Sequence, residues 1–241
     1  GQAGTGQQPS AAEGFFMEAR TIRSLCRSAL SYLLADQDSG EAALIDPQAC
    51  DMPLIQAMLG ERGLSLRWVL RTHEHDGQRP EELPALRRLG AQVVQGCAAP
   101  GVRSPEDGER LPLGRGAIRV LHTPGHTADC RSYLWADRVF CGGLLDVGGC
   151  PWQRWPADPA TLWDSVTQKI FTLPDETLLF PGQDCHSHSV STVHDQRRWH
   201  PYFAQCSRDE YLARVAVLCW SMKRNSSVEP VPPHSLTWSE T

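Results

Sequence analysis

Two short stretches bring histidines to the ends of strand-like runs. The first is Thr72-His73-Glu74-His75-Asp76-Gly77-Gln78, directly after the apolar run LRWVLR. Histidines at i and i+2 just past a strand turn toward one point when the loop curls. The second is His122-Thr123-Pro124-Gly125-His126-Thr127. Its Pro-Gly pair sets a tight bend and presents His126 at a strand end. Three neutral imidazoles, His73, His75 and His126, meeting at one point make a site for Zn(II) or Fe(II). Singly, each histidine reads as structural or solvated, and the HxH pair is a weak signal. The two stretches together are the signal. His186 and His188 form another HxH on a polar loop and read as solvent-facing.

The chain has 9 cysteines, at irregular spacing and with no CxxC pair. An odd number so arranged is poor support for a disulfide framework. Free thiols in a reducing compartment, cytoplasmic or an organelle matrix, are the default expectation, mostly as small buried hydrophobes.

The 241 residues fit one domain of ordinary size, with 41% hydrophobic and 21% charged residues. A net charge of −5 gives no sign of nucleic-acid binding. No apolar run approaches the roughly 20 residues that span a membrane. Residues 1–14 are small, polar and flexible in character, residues 15–224 form the expected domain, and residues 225–241 read as a Pro/Ser-rich tail.

The elements that must position the histidines follow from the apolar pattern. Residues 21–27, 30–36 and 41–46 read as a strand meander. Asp51 reads as the cap of a helix with Pro53 in its first turn. Strand 66–71, helix 80–89 and strand 91–95 follow. Then come strands 110–113, 117–122, 130–135 and 138–141. Asp158 caps a helix that begins with Pro159. A strand at 177–180 and helices at 190–199 and 209–222 complete the chain. Both halves run strands and then helix, which fits two packed sheets with helices outside.

Several phrases resemble the metallo-β-lactamase superfamily, and within it the persulfide dioxygenases, relatives of glyoxalase II. SYLLADQDSGEAALIDP resembles the opening hairpin, and RTHEHDGQ stands where the family has THxHxDH. HTPGHTADC matches its PGHT element, and FCGGLLDVGGC stands for FTGDALLxxGC. The closing block KIFTLPDETLLFPGQDCHSHSVSTV resembles the persulfide dioxygenase branch in particular. The resemblance implies an αββα sandwich of two mixed β-sheets flanked by helices. It also implies a mononuclear Fe(II) on two histidines and one aspartate, acting on a glutathione persulfide, and relatives that often form dimers.

Carried over, the two histidines fall on His73 and His126, and the aspartate falls on Gly143. The superfamily's second metal site meets Gly77, Gln78 and Gln183 in place of ligands. A GRTD-like stretch linked to glutathione is replaced by Pro151-Trp152-Gln153-Arg154.

Three readings are open. One is a catalytically silent relative that binds a glutathione-like thiol or a partner protein and holds no metal. A second is an active enzyme with Fe or Zn on His73, His75 and His126, with Asp76 or Asp146 as a substitute carboxylate. A third is cysteine chemistry at Cys141, Cys150 and Cys185, around the same pocket.

Overall fold

Every residue of the second strand is buried, which requires layers on both of its faces. The computed structural model supplies them. It describes residues 17–25, 28–74, 82–148, 158–184 and 189–226. Strands β1 (Met17–Arg23), β2 (Leu30–Asp36) and β3 (Glu41–Ile45) form an antiparallel meander. Helix α1 (Met52–Glu61) crosses to β4 (Ser65–Leu70), which lies parallel to β3. Helix α2 (Glu82–Arg87) then leads to β5 (Gln92–Val94), and β6 (Val102–Arg103) ends a six-stranded sheet in sequence order.

The second sheet opens with another antiparallel meander. It comprises β7 (Arg110–Leu113), β8 (Gly116–His122), β9 (Arg131–Trp135) and β10 (Arg138–Gly142). Helix α3 (Pro159–Ser165) continues through a π-helical turn at Val166–Ile170. It returns the chain to β11 (Leu178–Pro181), parallel to β10, and β12 (Ser191–Thr192) closes the edge. Helices α4 (Val193–Trp199) and α5 (Arg208–Ser226) follow. The order across this sheet is β12-β11-β10-β9-β8-β7. Both sheets mix parallel and antiparallel neighbours, as the expected sandwich requires.

Strand alternation sorts the core into layers. Leu34, Ile45, Leu70 and Val94 of the first sheet meet Ile118, Val120, Trp135 and Phe140 of the second. Tyr32, Phe140 and Phe180 gather there, with ring centroids 4.9–5.4 Å apart. The opposite faces carry the helices. Leu33, Ala42 and Leu44 pack on Ile55 of α1, and Val69 and Val93 pack on Leu86 of α2. Val139 and Leu179 pack on Leu162, Trp163 and Tyr211 of α3 and α5. Each fully buried large side chain contributes about 1.5–3 kcal/mol.

Four expectations change. The first strand lies at Met17–Arg23, four residues earlier than read at its start. Asp51 makes no side-chain cap to α1; its carboxylate accepts the Leu25 N–H at 3.0 Å instead. Asp158 does cap α3, accepting from the Thr161 N–H at 3.0 Å. Residues 191–192 are a strand rather than the start of a helix, because they pair with β11. The free-thiol default fails at Cys50, which is disulfide-bonded; Cys97, Cys130, Cys141 and Cys206 are free. No helix among the described residues is long and apolar enough to cross a membrane.

Candidate functional site

The site begins where β3 ends. Asp46 has a left-handed backbone, φ 47°, which non-glycine residues adopt only under constraint. The constraint is visible. Its N–H donates to the Leu70 carbonyl at 2.9 Å. Its carbonyl accepts from Ser31 Oγ at 2.9 Å and Gln48 Nε2 at 3.1 Å. The carboxylate thereby points at Thr72, accepting from its N–H at 2.8 Å and its Oγ1 at 2.6 Å.

Thr72 transmits that geometry to His73. The threonine proton goes to Asp46, so Thr72 Oγ1 accepts from His73 Nδ1–H at 2.9 Å. This fixes the tautomer and makes Nε2 the acceptor nitrogen of the ring. The arrangement is the outer-shell support typical of a metal-binding histidine. His73 is buried.

Glycines allow the strand ends to close beneath it. Gly142, φ 54°, lies under Thr72, and a Cβ there would sit 2.2 Å from Thr72 Oγ1. Gly182 packs on Gly142 in turn, donating its N–H to the Gly142 carbonyl at 2.8 Å. The Arg131 N–H adds a bond to the Thr72 carbonyl at 2.7 Å.

The Pro124-Gly125 turn carries His126. Gly125 has φ 140°, and a Cβ there would strike the Leu162 backbone at 2.3 Å. Helix α3 therefore closes directly on the turn. Ser165 Oγ donates to the Pro124 carbonyl at 2.7 Å, and the Asp158 N–H donates to the Gly125 carbonyl at 3.0 Å. The fold thus brings His73 and His126 together, ring centroids 4.8 Å apart and planes at 89°.

Gly143 joins them. A Cβ built on it would lie 2.7 Å from His126 Nε2 and Cδ2 and 3.2 Å from Cε1. Position 143 thus offers no donor atom, and the His126 imidazole lies against it. This set does not fit an iron held by two histidines and a carboxylate. Among the described residues, no group of three or more His, Cys, Asp or Glu is placed to hold a metal. Asp146 therefore does not complete the pair. Its carboxyl is pushed up to about 6 by burial alone.

The other expected positions divide. Gln183 is at the site's edge, bridged through its backbone to Ala29. Cys141 is buried, with Sγ 3.4 Å from the Leu145 carbonyl and 3.6 Å from that of Phe180. Burial, with the Asp146 charge beside it, drives its thiol far above the usual range. That is a packing thiol rather than a nucleophile. His75, Asp76, Gly77, Gln78, Cys150, Cys185, His186, His188 and the 151–154 stretch lie outside the described residues.

Two features escape a reading of the motifs alone. One is the Asp46–Thr72 support, whose only trace is an aspartate at one strand end and a threonine at another. The second is His200, whose Nε2–H donates to the Asp146 carbonyl at 3.0 Å and whose Nδ1 accepts from the Tyr202 N–H at 3.2 Å. Burial pushes this imidazole down to about 4, so it is neutral.

No protein-family model matches the chain. Its similarity to individual proteins is clear. The human mitochondrial persulfide dioxygenase ETHE1 is 34% identical over 180 residues, covering 71% of this chain and 70% of that protein. The hydroxyacylglutathione hydrolase-like protein of Mus musculus is 33% identical over 219 residues, covering 85% and 71%. The crystal structure of ETHE1 from Myxococcus xanthus superposes with a TM-score of 0.76 at 33% identity, covering 84% of this chain and 91% of that one. With two mixed sheets between helices and these relatives, this chain belongs to the metallo-β-lactamase superfamily, among the homologues of persulfide dioxygenase and glyoxalase II.

Proposed function

We propose that this chain is a persulfide-dioxygenase-like protein without dioxygenase activity, which uses the inherited pocket to bind a glutathione-like thiol. What supports it is Gly143, which the resemblance puts where the family's carboxylate ligand belongs, with the His126 ring close against it. Without that carboxylate the described residues offer two imidazoles and no third donor. Ferrous iron that must bind O2 and a thiol together needs a firmly held facial set, and two neutral nitrogens do not provide one. The ligand class follows from the relatives, which are named for a persulfide and for hydroxyacylglutathione.

Oxygen uptake with glutathione persulfide tests the reading. The purified chain, reconstituted with ferrous iron, is expected to stay at the no-protein rate. Uptake matched by sulfite formation would overturn it. Titration calorimetry with glutathione tests the ligand, and heat no larger than dilution would remove that part.

A second reading has one observation in its favour. The Asp46–Thr72–His73 chain still orients His73 as metal-binding histidines are oriented. A site on His73, His75 and His126 would hold zinc and activate water. Counting Zn and Fe per purified chain separates the two. About one Zn per chain favours the second reading, and none after reconstitution favours the first.

A further inference from the structure

The pocket does more than lack a carboxylate. Gly143 has an ordinary backbone, unlike Gly142 beside it, so nothing in the main chain demands glycine there. What demands it is a ring. All three of the nearest atoms to a Cβ at 143 belong to the His126 imidazole, at 2.7, 2.7 and 3.2 Å.

That ring belongs to a half-buried side chain on a constrained turn. Its backbone is held by the turn at Gly125, walled by Leu162 of α3. The His73 ring stands beside it, centroids 4.8 Å apart and planes at 89°. We infer that the His126 imidazole now occupies the volume that a side chain at position 143 would need, so that a ligand carboxylate there and an inward His126 exclude one another. This builds on the reading of Gly143 as the former carboxylate position. It adds that the loss has been packed over, so that restoring the aspartate alone displaces His126 and still yields an incomplete set.

A thermal cycle tests this without relying on activity. At an unstrained backbone, glycine to alanine ordinarily raises the melting temperature by about 1–4 °C, through the unfolded chain. Here Gly143→Ala is expected to lower it by about 3 °C or more. In a His126→Ala background the same substitution is expected to raise it. This reversal of sign is the signature of the ring as the obstacle. A rise in both backgrounds, or an equal fall in both, overturns the inference.

Iron content gives a second readout. Gly143→Asp, loaded with ferrous iron without oxygen and then desalted, is expected to retain no more iron than the parent chain. About one iron per chain overturns the inference. Oxygen uptake by the parent chain, which judges the proposed function, does not bear on either result.

Discussion

Thr72 has one hydroxyl proton and two neighbours that depend on where it goes. It donates to Asp46 and accepts from His73, so a single atom joins the β3 end to the site. Thr72→Val keeps the shape and removes both bonds. It is expected to destabilise the chain by about 1–3 kcal/mol, because buried polar groups lose their partner. Thr72→Ser, which keeps the oxygen, is expected to lie much closer to the parent. Urea denaturation of the three proteins measures this, and equal midpoints for Val and Ser would discard the role given to the hydroxyl. The histidines were legible in the sequence because their motifs are local. The Asp46–Thr72 bond was not, because its partners stand 26 residues apart and only strand pairing joins them. The contact of His126 with Gly143 was hidden for the same reason.

The loop after β10 and the chain following α4 meet at half-buried Asp146 and buried His200, displaced in opposite directions. Burial pushes the Asp146 carboxyl up from 3.8 to about 6. The fold therefore prefers the neutral acid, and that stability is lost as pH rises through 6. Burial pushes His200 down from 6.5 to about 4. The fold prefers the neutral imidazole, and that stability is lost as pH falls toward 4. Over the shared window the two slopes nearly cancel. Asp146→Asn removes the opposing slope and leaves that of His200, so relative to the parent the variant is expected to lose on the order of 3 kcal/mol on acidification from pH 6.5 to 4. Denaturation curves across that window check it, and parallel profiles for variant and parent would refute the pairing. Most elements at this scale were readable from apolar periodicity and caps, as at Asp158. Strands β6 and β12 were not, since two residues carry no period. They exist only because a neighbouring strand offers backbone partners.

At the scale of the whole molecule, the layered order was legible because both halves repeat strands and then helix. The cross-link was not, since spacing alone does not pair cysteines. Cys50 lies just before α1 and is disulfide-bonded. Reduction is expected to lower the stability of the folded chain by about 2–4 kcal/mol. Cys50→Ser is expected to abolish that sensitivity. Unfolding with and without a phosphine reductant measures both, and a parent chain indifferent to reductant would exclude a structural bond there.

The close seating of Thr72 over Gly142, and of Gly142 against Gly182, has a consequence for the backbone protons beneath His73. Strand ends meet there, with the amides of Thr72, Arg131 and Gly182 each already donating to a neighbour. Those protons should rank among the slowest in the chain to exchange with deuterated water.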